Sequence, residues 1–170
     1  MLEIHDSNRT FQTYMELDVF TEETKNRVKG AQVILLPDFN VKEGVERAFQ
    51  PDTINFYKYT LAKKDSEIKL ELFENKGEEK FLVLHSYDVW IPTIAILNSV
   101  LLPLVVNLVS SYVYDRMRSR PKEEPTVHFQ LIVSDEESGR SKQLYYKGPA
   151  KDFNSSFEKI DVNSLWRDKV

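Results

Sequence analysis

The sequence predicts an α+β fold in which two small antiparallel β-hairpin units flank one long, very apolar central helix. Three observations lead there. Apolar residues alternate over 67–74 and again over 126–133, each time with a turn and a second strand-like run behind them. Between these runs, 26 consecutive residues from Val89 to Tyr114 carry no charge. Near the carboxyl end, Phe153, Phe157 and Ile160 recur at helical spacing and predict a C-terminal amphipathic helix. A chain of 170 residues has room for one domain or two small modules around a shared core. The expected divisions are an α/β module over 1–88, the apolar helix over 89–118 and a ββα module over 119–170, separate or forming one joint domain.

Taken in order, residues 11–28 mix Phe11, Tyr14, Met15, Leu17, Val19 and Phe20 with acids and show no clean period, so no element is assigned. Val33-Ile34-Leu35-Leu36 before Pro37-Asp38 is a buried strand closed by a turn. Residues 41–49 suit a short helix with Val41, Val45 and Phe49 on one side. Pro51-Asp52-Thr53 opens another helix carrying Ile54, Phe56, Tyr57, Tyr59 and Leu61, although these residue types also suit a strand. In the first hairpin Ile68, Leu70 and Leu72 face one way, and Phe81 to His85 returns after Lys76-Gly77. In the second, Val127, Phe129, Leu131 and Val133 share a face, Asp135 to Arg140 turns, and Gln143 to Lys147 returns. Leu165 and Trp166 dock the tail.

The uncharged segment fits two environments. Its length exceeds the roughly 20 residues that cross a hydrocarbon core as a helix. Trp90 lies at one end and Tyr112 and Tyr114 at the other, followed by Arg116, Arg118, Arg120 and Lys122, as at a cytoplasmic membrane face. Pro103 either kinks such a helix or starts a second one. Thr93, Ser99, Pro103, Asn107, Ser110 and Ser111 gather on one side with Asn98 outside, a stripe of the kind that packs helices together in membranes. The stripe serves equally where a soluble core helix meets neighbouring backbone. On that second reading the hairpins, a second subunit or another polypeptide cover the helix. Trp90, Asn98, Ser99, Pro103, Asn107, Ser110, Tyr112, Tyr114, Arg116, Arg118 and Arg120 are therefore the expected membrane or partner contacts.

Composition excludes several classes. Net charge is −4, with −5 over residues 1–88 and +1 over 115–170, which argues against a general nucleic-acid binder. With no cysteine, the chain has no disulfide, thiol nucleophile or thiolate metal site. Met1 to Asp6 lacks the basic and apolar regions of a secretory signal, so the expectation is a protein that is not secreted. Its expected place is cytoplasmic or at the inner membrane with a cytoplasmic carboxyl module. A compact, linker-poor chain suits a prokaryotic or viral source. Five glycines provide no GxGxxG, P-loop or GxSxG turn.

Catalytic patterns are sparse. Pro51-Asp52 followed by Glu67-Ile68-Lys69 resembles the PD…(D/E)xK signature of metal-dependent nucleases. That resemblance implies Mg²⁺ held by Asp52 and Glu67, with Lys69 stabilising or activating the attacking water and Glu43 or Glu46 as a further ligand. Otherwise no cofactor or metal is expected. The competing reading is a helix start followed by the wet face of a strand. His5, His85 and His128 are isolated, and His128 falls on the exposed side of its strand. Ser86 and Asp88 suit a turn, as does Asp38, despite its place after an apolar strand where α/β enzymes often put acids. The expectation is a non-enzymatic accessory or regulatory protein acting by association, with a protein partner or a second copy. Its apolar helix is sheltered in a membrane or in a complex. The alternatives are a soluble oligomeric subunit and a small hydrolase.

Overall fold

The structure, a computed structural model, describes residues 1–63, 68–83 and 86–167. Its centre is a mixed sheet built from both halves of the chain. The strands are β1 (Leu2–Asp6), β2 (Val33–Leu36), β5 (Leu70–Leu72), β6 (Val89–Trp90), β7 (Thr93–Ile96), β8 (Thr126–Asp135) and β9 (Arg140–Pro149). They lie in the order β1-β9-β8-β7-β2-β5, with β6 continuing the β7 position along β8. A separate hairpin joins β3 (Asp38–Lys42) to β4 (Val45–Ala48). Gly44 in its turn has φ 78°, which a side chain would strain.

Both faces of the sheet are packed, in different amounts. On one side Val33, Leu35, Ile94, Ile96, Leu131, Val133 and Leu144 meet three helices, α3 (Thr53–Ala62), α4 (Leu102–Arg118) and α5 (Phe153–Glu158). Facing the other way, Ile34, Leu36, Ala95 and Ile132 meet α1 (Phe11–Met15) and α2 (Glu22–Lys29). Thr10 caps α1 in a reciprocal box with Thr13, and Thr21 caps α2. Glu22 and Glu23 then open α2, and Arg27 and Lys29 close it, each sign at the favourable end of the dipole.

The α+β class stands, but the two-hairpin arrangement around one helix does not describe these strands. Of the two expected hairpins, only the second is seen among the described residues, as β8 and β9, paired antiparallel from Thr126↔Pro149 to Asp135↔Arg140. In the first, Leu70–Leu72 pairs parallel with Val33–Leu35, and Phe81 bridges Phe49 instead of returning along β5. An alternating run reports one buried face and says nothing about which strand will lie beside it. Residues 41–49 are hairpin and not helix, for Glu43-Gly44 makes a two-residue turn.

The uncharged segment divides into two short strands, a 3-10 turn and a helix. Ile91-Pro92 interrupts β6 and β7, which hold one more residue than β8 opposite, since Trp90↔His128 and Ile94↔Leu131 enclose three residues against two. Thr93 to Ile96 is buried throughout as a central strand, and a strand covered on both faces has the same unbroken apolar look as a helix. Asn98 caps the 3-10 turn, accepting from Val100 N–H at 3.0 Å. Pro103 falls in the first turn of α4, where its missing N–H costs nothing, so it starts a helix and does not kink one. Among the described residues, no helix is long and apolar enough to cross a membrane. The sheet together with α3 and α5 covers Leu102, Val105, Val106, Leu108, Val109, Tyr112 and Val113 of α4.

Candidate functional site

Helices α1 and α2 cover only the β7-β2-β5 end of their face. Toward β8, β9 and β1 that face presents His128, Gln130, Gln143, Tyr145, Glu3 and His5, placed together by the pairs Gln130↔Tyr145, Glu3↔Tyr145 and His5↔Gln143. At the border of the covered and open halves lies a cleft of about 280 Å³. Trp90, Thr93, His128, Gln130 and Tyr145 form its floor, and Arg9, Asp38, Val41 and Gln50 its wall. The extra residue between β6 and β7 is what sends both Trp90 and Thr93 to this side. With regular alternation, two residues three apart would face opposite ways.

A hydrogen-bonded wall holds Asp38. Arg9 donates to Asp38 Oδ1 at 3.0 Å, Gln50 Nε2 to Oδ2 at 2.8 Å and Thr93 Oγ1 to Oδ1 at 3.2 Å. Arg9 also donates to the Tyr14 hydroxyl at 2.8 Å, which in turn donates to Pro37 O at 2.9 Å. Burial pushes the Tyr14 hydroxyl up to about 12 against the pull of Arg9, so it stays protonated. The floor is a stack. Trp90 and His128 lie 3.6 Å apart at 4° between their planes. His128 Nε2 is 3.4 Å from Asp88 Oδ2, while Asp88 Oδ1 accepts from Thr126 N–H at 3.2 Å. Burial lowers the His128 pKa, outweighing the attraction of Asp88, and leaves a neutral imidazole at pH 7. Trp90 Nε1 is buried and finds no acceptor among the described residues.

These groups are suited to recognition. Asp38 is occupied by its donors, and among the described residues the His128 ring is hydrogen-bonded to the Asp88 carboxylate and to no hydroxyl. What the cleft offers is a flat aromatic platform, two glutamine amides and the Tyr145 phenol, with charge balanced between Arg9 and Asp38. Among the described residues, no group of three or more His, Asp or Glu is arranged to hold a metal ion.

Asp52 sits apart from this cleft as a structural node. It is 4% exposed and accepts from Trp90 N–H at 2.8 Å, the Tyr112 hydroxyl at 2.6 Å and Arg116 at 2.7 Å, tying the start of α3 to β6 and α4. Lys69 is exposed at the other end of the strands, its carbonyl accepting from Val33 N–H. Trp90 pairs with His128 and Ile96 with Val133, so five residues of β8, roughly 17 Å, separate the levels of Asp52 and Lys69. Glu67 lies outside the described residues, as does His85. Glu43 and Glu46 are on the β3–β4 hairpin, Glu46 beside Arg47. The structure does not bring Asp52 and Lys69 into one site.

The expected contact residues scatter. Pro103, Asn107 and Tyr114 are on the outer side of α4, with Ser110 half-buried and donating to Asn154 Oδ1 at 3.2 Å. Ser99 is in the 3-10 turn and Tyr112 is buried on Asp52. The basic run is dispersed as well. Arg116 pairs with Asp52, Arg118 lies over Tyr114, and Arg120 lies over Tyr87 and 3.8 Å from Glu123. Sequence reasoning missed Arg9, Gln50, Gln130 and Tyr145, which are polar residues on unremarkable elements, and it placed His128 in solvent although it is 8% exposed. The one available signal was Trp90 before Ile91-Pro92, an aromatic beside a strand breaker. No family model, curated protein or solved structure matches the chain, so the cleft's own chemistry carries the functional reading.

Proposed function

We propose that the protein is a non-enzymatic accessory or regulatory protein that acts by association, receiving a protein partner on the open half of its sheet with the Trp90–His128 cleft as the anchor point. The observation that carries this is the sheet face itself. Strands β1, β8 and β9 present His5, Gln130, Gln143 and Tyr145 at least partly to solvent beside Trp90 of β6, while Asp38 and Asp52 nearby are already engaged by donors. Flat aromatic groups ringed by amides are what interface centres favour, and they commit little side-chain entropy. On this reading residues 89–114 work from inside the fold: they supply the strand and helix that hold the floor of the cleft in place.

Site-specific photo-crosslinking in the cells that make the protein tests it. A benzophenone side chain at Tyr145 is expected to give one discrete adduct with another polypeptide, and Gln130→Arg is expected to abolish it. The same probe at Leu61, exposed on α3, gives none. Adducts of equal yield at both positions, or at neither, would sink the proposal.

A further inference from the structure

Strand β1 ends the sheet, and among the described residues it pairs only with β9. The parity of that pairing is fixed. Met1 and Lys147 exchange both backbone hydrogen bonds, at 2.7 and 3.1 Å, and Ser7 N–H donates to Ser141 O at 3.0 Å. The odd positions of an antiparallel strand so placed spend their backbone groups on β9, and the N–H and C=O of Leu2, Ile4 and Asp6 point away from the sheet. Those three residues are symmetric about Ile4.

We propose that this edge pairs with the same edge of a second copy, antiparallel and in register about Ile4. Ile4 then faces Ile4 of the other copy, Leu2 faces Asp6, and six backbone hydrogen bonds close around a two-fold axis. The side chains agree with that register. On the open face, Glu3 and His5 are exposed and 3.2 Å apart within the strand. Pairing about Ile4 sets each Glu3 directly across from His5 of the other copy, so the four groups alternate around a square with like groups on its diagonals. On the helical face, Ile4 is 43% exposed and would be covered by its twin. Asp6, the one acid on that side, is held by Lys142 of its own chain and does not oppose the approach. The axis stands perpendicular to the sheet, so both open faces look the same way and the two clefts share one surface. This pairing is independent of whether a partner occupies either cleft.

A strand of five residues buries a small area, which places the dimer on the order of 100 µM. Sedimentation velocity from about 5 to 500 µM brackets that range. The weight-average mass is expected to approach twice the monomer value at the top. Ile4→Lys puts a charge on the edge and Ile4→Pro removes a donor that β9 does not use, so both are expected to weaken association at least about tenfold. Thermal unfolding matching the parent shows that both variants are folded. Because the chain has no cysteine, Ile4→Cys adds a single thiol on the axis, where paired backbones about 5.5 Å apart allow a disulfide. Mild oxidation is expected to yield a covalent dimer from Ile4→Cys and none from Leu61→Cys. A monomer throughout the range, or a dimer that Ile4→Lys and Ile4→Pro leave unchanged, overturns the inference.

Discussion

Replacing Asp52 by alanine removes one acceptor group from three elements at once. Trp90 N–H and the Tyr112 hydroxyl would both stay buried without a partner, at about 1–3 kcal/mol each. Arg116 is different. Its side chain is 36% exposed and turns to water, so the ion pair adds little to the loss. The expected cost is about 3 kcal/mol, which for a chain of this length lowers the melting temperature by roughly 6–12 °C. Far-UV circular dichroism on heating measures it, and urea unfolding separates a shift in midpoint from a change in slope. Arg116→Met supplies the comparison: it strips the counter-ion from a carboxylate that keeps its two other donors. The pair in one double-mutant cycle should show coupling between about 0.5 and 3 kcal/mol. An Asp52→Ala protein that melts within about 2 °C of the parent refutes the reasoning, for then the node is not holding α3, β6 and α4 together.

Other changes test other parts of the fold. Burial keeps the folded His128 pKa below the ordinary value near 6.5, so the unfolded chain takes up the proton first. The stability of the neutral imidazole is therefore present above about pH 6.5 and is lost as pH falls toward the folded value, and His128→Gln should flatten that part of the melting-temperature profile. Glu74 is 1% exposed and accepts from Arg47 at 2.6 and 2.9 Å, so Glu74→Ala should cost about 3–5 kcal/mol and open the β3–β4 hairpin to protease. Pro103→Ala should lose only about 0.4–1 kcal/mol by calorimetry; a gain of several would mean that the ring strains α4 rather than starting it.

Local signals in the sequence were readable where one residue decides the outcome. The turn at Gly139, the buried Val33–Leu36 strand and the helix opened by Pro51-Asp52 all appear where their residues place them. Non-local partners were not readable. Nothing in Leu70-Glu71-Leu72 says that its neighbour is Val33–Leu35 rather than the run after Gly77, because both arrangements bury the same alternate side chains. The 26 uncharged residues were misjudged for a related reason. Complete burial erases the period that distinguishes a helix from a strand, and Ile91-Pro92 was the only mark of the boundary. The cleft was hidden because its residues come from six places along the chain and meet only when β6, β7, β8 and β9 are side by side.

The long reach of β1 also orders events during synthesis. Leu2 has no neighbour until Tyr146 has been made, an interval of roughly 7–30 s at ~5–20 residues per second. Val33–Leu36 lacks β7 on one flank until residue 96 has been made, and β8, once made, lacks β9 along its outer edge until the interval closes, an apolar ribbon that attracts chaperones and other nascent chains alike. A message cut short before β9 should therefore yield an insoluble product, even though it encodes every helix except α5.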